Sequence, residues 1–318
     1  MKKLVGLFLM FVVAAGVQAQ QYPAKPIRII VAFAPGGTSD VIMRPIAQKL
    51  SEDLKVPVIV ENRTGANGTI GTTYAARSEP DGYTLLCVPS SIAVNVSLYK
   101  ARPIDPLTDL EPISLLTLTP NMLAVNSTLP VRSVKELIEA AKERQGKLNY
   151  ATSGRGATNH MAMELFNSIT RANMQHVPYT GGGPALAGFL GGQVHVMFNP
   201  PSALLGLHRA GRVQVIGVAS PQRLPSAPDI PTLAESGLPG FESSVWFGLF
   251  APKGTPKAIT TALNAAVNRV LANPDLLQKF RSMDESPLGG TPEELGARLR
   301  ADILTWAKVV KESGLQPE

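Results

Sequence analysis

Three glycine-rich turns hold most of the residues in this sequence that could do chemistry. They are Pro35-Gly36-Gly37-Thr38-Ser39-Asp40, Ser153-Gly154-Arg155-Gly156-Ala157-Thr158-Asn159-His160 and Tyr179-Thr180-Gly181-Gly182-Gly183-Pro184. Each follows an apolar run and precedes a helical pattern. Glycine lets the backbone approach a ligand closely, and the unsatisfied N–H groups at a helix start hold an anion. The hydroxyls of Thr38, Ser39, Ser153 and Thr158 add donors without adding charge. Arg155, the only guanidinium in the turns, either pairs with a ligand carboxylate or sits solvated at the surface. His160 is either a ligand contact or an ordinary capping or core histidine, and Tyr179 either lines a pocket or simply closes a strand. A single glycine-rich turn is often only a tight connection. Three of them at strand ends, where open α/β sheets bind ligands, point to one site for a small anion.

Catalytic chemistry finds little support. There is no Gly-x-Ser-x-Gly elbow, so a hydrolase would rest on Ser153 and His160 alone. No glycine-rich loop ends in Gly-Lys-Ser/Thr, and no Gly-x-Gly-x-x-Gly follows a strand, so neither a nucleotide nor a dinucleotide cofactor is expected. His160, His176, His195 and His208 lack paired metal-ligand spacing, and the acidic residues form no calcium loop. Cys87 is the only cysteine and lies in an apolar run, where a buried strand residue is expected rather than a nucleophile. The residues therefore favour a binding protein with no cofactor and no metal.

The elements that must position the turns alternate strand and helix. Strands are expected over 27–33, 56–60 and 83–88. Helices are expected from Thr38, acting as N-cap, through Leu54, and again up to Arg77. Val41, Ile46, Leu50 and Leu54 are expected to share the buried face of the first helix, with Pro45 kinking it. This pattern suggests a parallel sheet covered on both faces. It restarts with strands over 122–125, 148–152, 176–179, 194–198 and 213–218 and helices over 133–143, 157–169 and 184–190. A last strand over 245–250 precedes helical stretches over 256–280, broken at Pro274, and 292–312. Two α/β units with helices left over at the C-terminus imply that the chain crosses between lobes near Pro120 and again near Gly240. The division expected is 20–119 with 241–318 as one lobe and 120–240 as the other.

The N-terminus has Lys2 and Lys3, an apolar run over 4–17 and then Val17-Gln18-Ala19, the pattern of a secretory signal peptide over 1–19 cleaved after Ala19. The run is too short for a spanning helix, so a periplasmic location is expected. Cleavage would lower the formal charge from +6 to +4 by removing two lysines. With no block of basic residues, nucleic acid and lipid surfaces are poor partners.

The motifs, taken in order, resemble the Bug receptors, the periplasmic solute-binding components associated with tripartite tricarboxylate transporters. The matching segments are Phe33 to Asp40, Val58-x-Val-x-Asn62-Arg63-x-Gly65-Ala66-x-Gly68, Asp81-Gly82-Tyr83-Thr84-Leu85, Ser153 to His160, Val177-Pro178-Tyr179-x-Gly181, Pro184-Ala185, Gly191-Gly192-Gln193-Val194 and Ala251 to Pro256. The resemblance implies a two-lobe, type II periplasmic-binding-protein-like fold, a Venus flytrap with a ligand cleft between the lobes. It implies a small mono-, di- or tricarboxylate or aromatic acid as ligand, membrane transporter subunits as partners and a monomeric receptor. A sensory role toward a membrane partner such as a sensor kinase is the alternative. Carried over by motif, the ligand-binding residues are Phe33, Gly37, Thr38, Ser39 and Asp40 on one lobe and Ser153, Gly156, Thr158, His160, Tyr179 and Gly181 on the other. Ser90 and Asn199 are further candidates, and Arg155 is added from its charge. His195 stands where the family usually has Asp. If that position faced the cleft, the change would favour plain carboxylates over amino acids.

Overall fold

The run that opens at Ile27 forms β1 (Ile27–Val31), in which only Arg28 reaches solvent. The structure, a computed structural model, describes residues 22–100, 102–144, 146–283 and 285–316. The segment expected as a signal peptide lies outside the described residues. β1 runs parallel to both β2 (Val58–Asn62) and β3 (Thr84–Pro89), which explains its continuous apolar character: an inner strand of a parallel sheet is covered on both faces. β10 (Ser244–Pro252) lies antiparallel between β3 and β4 (Leu110–Pro120), and the two-residue β11 (Ser286–Pro287) pairs with β4 at the edge. The sheet order is β11-β4-β10-β3-β1-β2. The sheet is therefore mixed rather than parallel, because β10 returns from the other lobe and runs back along β4. Two bulges on β4, beside Leu116 and Ile113, accommodate this long pairing next to Pro112.

The second sheet, β7-β6-β8-β5-β9, comprises β5 (Met122–Asn126), β6 (Asn149–Thr152), β7 (Gln175–Pro178), β8 (Val196–Asn199) and β9 (Val213–Val218). β6 is parallel to β7 and β8, and β5 is antiparallel to β8 and β9. Period-2 alternation assigns side chains to opposite faces. Ile29, Val31, Leu85 and Phe247 fill one core of the first sheet, and Ile30, Leu86, Trp246 and Phe250 the other. In the second sheet Leu123, Tyr150 and Phe198 oppose Met122, Ala151 and Met197. Cys87 lies in the first core with no exposed surface. Burial, with the nearby Asp40 charge, pushes its thiol up to about 12, so it is a packing residue.

The first sheet carries α1 (Thr38–Leu54), α2 (Thr69–Ala76) and α3 (Ser91–Leu98), together with α8 (Lys257–Leu271), α9 (Pro274–Ser282) and α10 (Pro292–Glu312). The second carries α4 (Val134–Glu143), α5 (Thr158–Thr170), α6 (Gly182–Leu190) and α7 (Pro201–Arg209). α1 runs through Pro45, which is buried, and its N-cap is Gly37, not Thr38. Its buried stripe is Ile42, Met43, Ile46, Ala47 and Leu50, while Val41 points out. Of the expected face, Ile46 and Leu50 are buried and Leu54 packs against the same core, so Val41 is the one member misplaced. Among the described residues no helix is long and apolar enough to cross a membrane.

Only Asn121 separates β4 from β5, and the chain returns to the first sheet through Ser243. The two passages are tied side by side. The Asn121 N–H donates to the Ser243 carbonyl (2.9 Å), its Nδ2 to Ser243 Oγ (3.0 Å), the Ala219 N–H to the Asn121 carbonyl (2.8 Å) and the Ser243 N–H to the Ala219 carbonyl (3.0 Å). A second contact spans the lobes away from this junction. Met161 of α5 packs in one cluster with Leu98, Trp306 and Val310, and Ser168 Oγ donates to Glu312 at 3.2 Å.

Candidate functional site

A cleft of about 560 Å³ lies between the two sheets, walled by the loop from β1 into α1 on one side and by the starts of α5, α6 and α7 on the other. Thr119, Asn121, Val245, Phe247 and Glu285 form its floor at the junction. Five helices present a first-turn residue to it: α1 with Thr38 and Ser39, α3 with Ser91, α5 with Thr158 and Asn159, α6 with Gly182 and Gly183, and α7 with Ser202 and Ala203. None of the five has a side-chain cap. Away from the cleft, α4, α9 and α10 are capped by Ser133, Asn273 and Thr291, whereas α2 and α8 also lack a side-chain cap. A helix start leaves its first N–H groups unsatisfied and carries the positive end of the dipole. The cleft thus gathers main-chain donors from both sheets. Among the described residues that line it, the only charged side chain is Glu285, and none is Lys, Arg or His.

The first turn is shaped by Asp40. Its Oδ2 accepts from the Gly36 N–H (2.9 Å) and Arg44 Nε (2.8 Å), and its Oδ1 from Asn62 Nδ2 (2.9 Å). Asn62 Nδ2 also donates to the Phe33 carbonyl at 3.0 Å. Burial opposes the Asp40 charge, but the hydrogen bonds from Arg44, Gly36 and Asn62 outweigh it and hold the carboxyl below its ordinary pKa. Asp40 is 4% exposed and stands behind the cleft wall, whereas Phe33, Gly37, Thr38 and Ser39 line it. Asp40→Ala is expected to destabilise the fold by about 2–3 kcal/mol, the worth of hydrogen bonds to a buried charge. It should also weaken ligand binding, because Gly36 loses its anchor. Denaturant unfolding and calorimetric titration of the variant check both.

The second turn is held from beneath in the same way. Asn159 Oδ1 accepts from the Ser153 N–H (3.3 Å) and its Nδ2 donates to Ser153 Oγ (3.1 Å). His160 Nδ1 accepts from the Gly156 N–H at 3.2 Å. Ser153 and Thr158 line the cleft, but His160 is fully buried behind it. Its ring centroid lies 4.1 Å from that of His176, and Glu164, which accepts from the Tyr150 hydroxyl, lies 3.8 Å from His160 Nε2. Desolvation, then the charges of His176 and Arg155, lower the His160 pKa to about 3.

Other expected residues also fall outside the cleft wall. Arg155 donates to the Gln316 carbonyl across the lobes. Gly156 packs against Leu98 and Asn67 of the first lobe. Tyr179 lies over Gly188 of α6, with its hydroxyl donating to Gln193 Oε1 at 3.3 Å. Gly181 and Asn199 do line the cleft. Ser90 is buried behind Pro89 and Ser91, which line it. His195 precedes β8, whose far end carries Asn199, and its Nδ1 lies 2.6 Å from Asn149 Oδ1. It is away from the cleft, so the inference drawn from its replacing Asp does not apply. Thr119, Asn121 and Glu285 lie in no local motif, because only the crossing of the chain brings them together. Asn67, which also lines the cleft, belongs to a Gly-Ala-Asn-Gly turn that carried no assigned role.

Residues 42–315 match the family described as Tripartite tricarboxylate transporter family receptor. Protein BugT of Bordetella pertussis is 38% identical over 313 residues, covering 98% of this chain and 96% of BugT. The solved structure of Rpa4515 of R. palustris with adipate is 36% identical, with a TM-score of 0.85 over 93% of this chain and 100% of that one. MatC of Rhodopseudomonas palustris with bound malate is 32% identical, with a TM-score of 0.82 over 91% of this chain and 100% of that one.

Proposed function

Because the chain belongs to the tripartite tricarboxylate transporter receptor family, we propose that it captures a small carboxylate in this cleft, in the periplasm, and delivers it unchanged to membrane transporter subunits. The observation that carries the reading is the convergence of five helix starts without side-chain caps, from both sheets, on a cleft whose walls present neutral donors. Micromolar affinity requires about 8 kcal/mol. One helix start gives up to about 2 kcal/mol to an anion in partly buried geometry, so one lobe alone is too weak a grip. Donors from both lobes, with water excluded, make up the difference, since hydrogen bonds to a charged group are worth about 1.5–3 kcal/mol each. Export with cleavage after Ala19, and motion of 20–119 with 241–318 against 120–240 about the Asn121–Ser243 tie, complete the proposal.

A thermal-shift screen of mono-, di- and tricarboxylates, aromatic acids, amino acids and uncharged sugars tests it. An acid at a hundred times its dissociation constant should stabilise the protein by about 2.7 kcal/mol, a shift of several degrees. A sugar that shifts the melting temperature when no acid does would overturn the reading.

A further inference from the structure

We infer that Met161 is a clasp: a side chain of the second lobe that seats in the core of the first when the cleft closes and leaves it when the cleft opens. The inference deepens the capture proposed above and rests on its lobe motion.

Met161 lies in α5, just after Thr158 and Asn159, which line the cleft. It has no exposed surface. Every other buried member of its apolar cluster belongs to the first lobe, among them Val88, Leu98, Trp246, Trp306 and Val310. Met163, two residues along the same helix and equally buried, packs instead in the second lobe's own cluster with Tyr150, Phe166 and Phe198. One helix thus seats a methionine in the core of each lobe.

The two connections between the lobes differ in kind. At the junction the lobes share the chain itself and the main-chain hydrogen bonds among Asn121, Ala219 and Ser243. At the seam between α5 and α10 they share the apolar contact of Met161 and the side-chain hydrogen bond from Ser168 to Glu312. Apolar contacts fade within a fraction of an ångström to a few ångströms of separation, so rotation about the junction withdraws Met161 and leaves the junction intact. Burial of its side chain favours closure, and the unbranched, flexible thioether suits a contact that is made and broken repeatedly. Leu98, a member of the same cluster, also faces Gly156 of the second turn. Seating Met161 therefore brings that turn up to the first lobe.

Methionine oxidation tests this on the wild-type protein with no acid added. Hydrogen peroxide converts an exposed thioether to its sulfoxide, and peptide mass spectrometry follows each methionine separately. Separation of the lobes bares Met161 and leaves Met163 covered, whereas unfolding of α5 or of the whole chain bares both. Met161 should therefore oxidise at least about tenfold faster than Met163, because a local opening is far less costly than global unfolding. Amides of Trp306 to Val310 should exchange with solvent no faster than those of α8, since lobe separation leaves α10 packed on α3 and β4. Equal oxidation rates at the two methionines would overturn the inference and make the seam a fixed pivot. Faster exchange in Trp306 to Val310 than in α8 would place the opening in α10 itself and would overturn it as well. No acid enters these rates, so failure of the carboxylate reading in the thermal-shift screen is a separate result.

Discussion

Gly156→Val is expected to weaken carboxylate binding by at least about 100-fold. A Cβ at position 156 would meet Leu98 Cδ1 at 2.8 Å and Asn67 Nδ2 at 3.2 Å, both on the opposite lobe. Neither neighbour can give way easily. Leu98 is 2% exposed within a core cluster, and Asn67 is fixed by reciprocal hydrogen bonds with Asn95, at 2.9 Å from its amide nitrogen and 3.0 Å to its carbonyl. Gly156 also has φ of +76°, a conformation that costs a β-branched residue further energy. The lobes would therefore stand apart at the turn, and the ligand would be held from one side only. Losing two charge-assisted hydrogen bonds of about 1.5–3 kcal/mol each sets the scale. The control is Gly206→Ala, at an exposed site in α7 with no atom within 4 Å of the new methyl. It should leave affinity intact and stabilise by up to about 1 kcal/mol. Calorimetric titration gives the affinities, and small-angle scattering with saturating ligand shows whether the variant stays expanded. Unchanged affinity in Gly156→Val would mean that contact across the lobes at this turn does not contribute to binding.

Acid is expected to destabilise the protein through His160. Its folded pKa is lowered to about 3 by burial, His176 and Arg155, while in the unfolded chain it is about 6.5. The unfolded state therefore binds the extra proton throughout this window, and stability falls as the pH drops from about 6.5 toward 3. The slope approaches 1.4 kcal/mol per pH unit, or about 3 kcal/mol lost by pH 4. His176, lowered to about 4 by burial and Arg155, acts with the same sign and less strength because it is only half-buried. Glu164 acts against them. Burial raises its pKa although it accepts from the Tyr150 hydroxyl, so its contribution is present in acid and lost as the pH rises. In the folded protein His160 Nδ1 keeps accepting from the Gly156 N–H until the pH approaches about 3, so ligand affinity should fall only there, below the window in which stability is lost. His160→Gln keeps an acceptor but does not titrate there. Its urea-unfolding free energy should be much flatter between pH 6.5 and 4 than that of the wild-type protein. Parallel curves would place the acid sensitivity elsewhere.

Local patterns were enough to place the three turns and the elements around them. The apolar runs of β1 and β9, the Ser133 cap of α4 and the Thr291 capping box of α10 are each written within a few residues. α3 and β4 were not legible. α3 is apolar on nearly every side because it packs between the sheet and α10, which erases its helical period, and β4 carries prolines that its bulges absorb. The same limit governs the site. Asp40 and His160 have the residue types of ligand contacts, yet the fold turns both behind the wall, where they hold the turns that do line it. Arg155 and Gly156 face the other lobe instead of the ligand. Glu285 and Thr119 are 166 positions apart in sequence, and their pairing follows from the return of the chain to the first sheet.

The most direct test of the central claim is a crystal structure of the protein with the acid that gives the largest thermal shift. A ligand carboxylate should lie about 2.7–3.1 Å from main-chain N–H groups at the start of α1 on one lobe and of α5 or α6 on the other, with no Lys or Arg side chain among its contacts. A carboxylate held by basic side chains, for example in the surface groove lined by Arg28, Arg63 and Arg77, or gripped by one lobe alone, would contradict it.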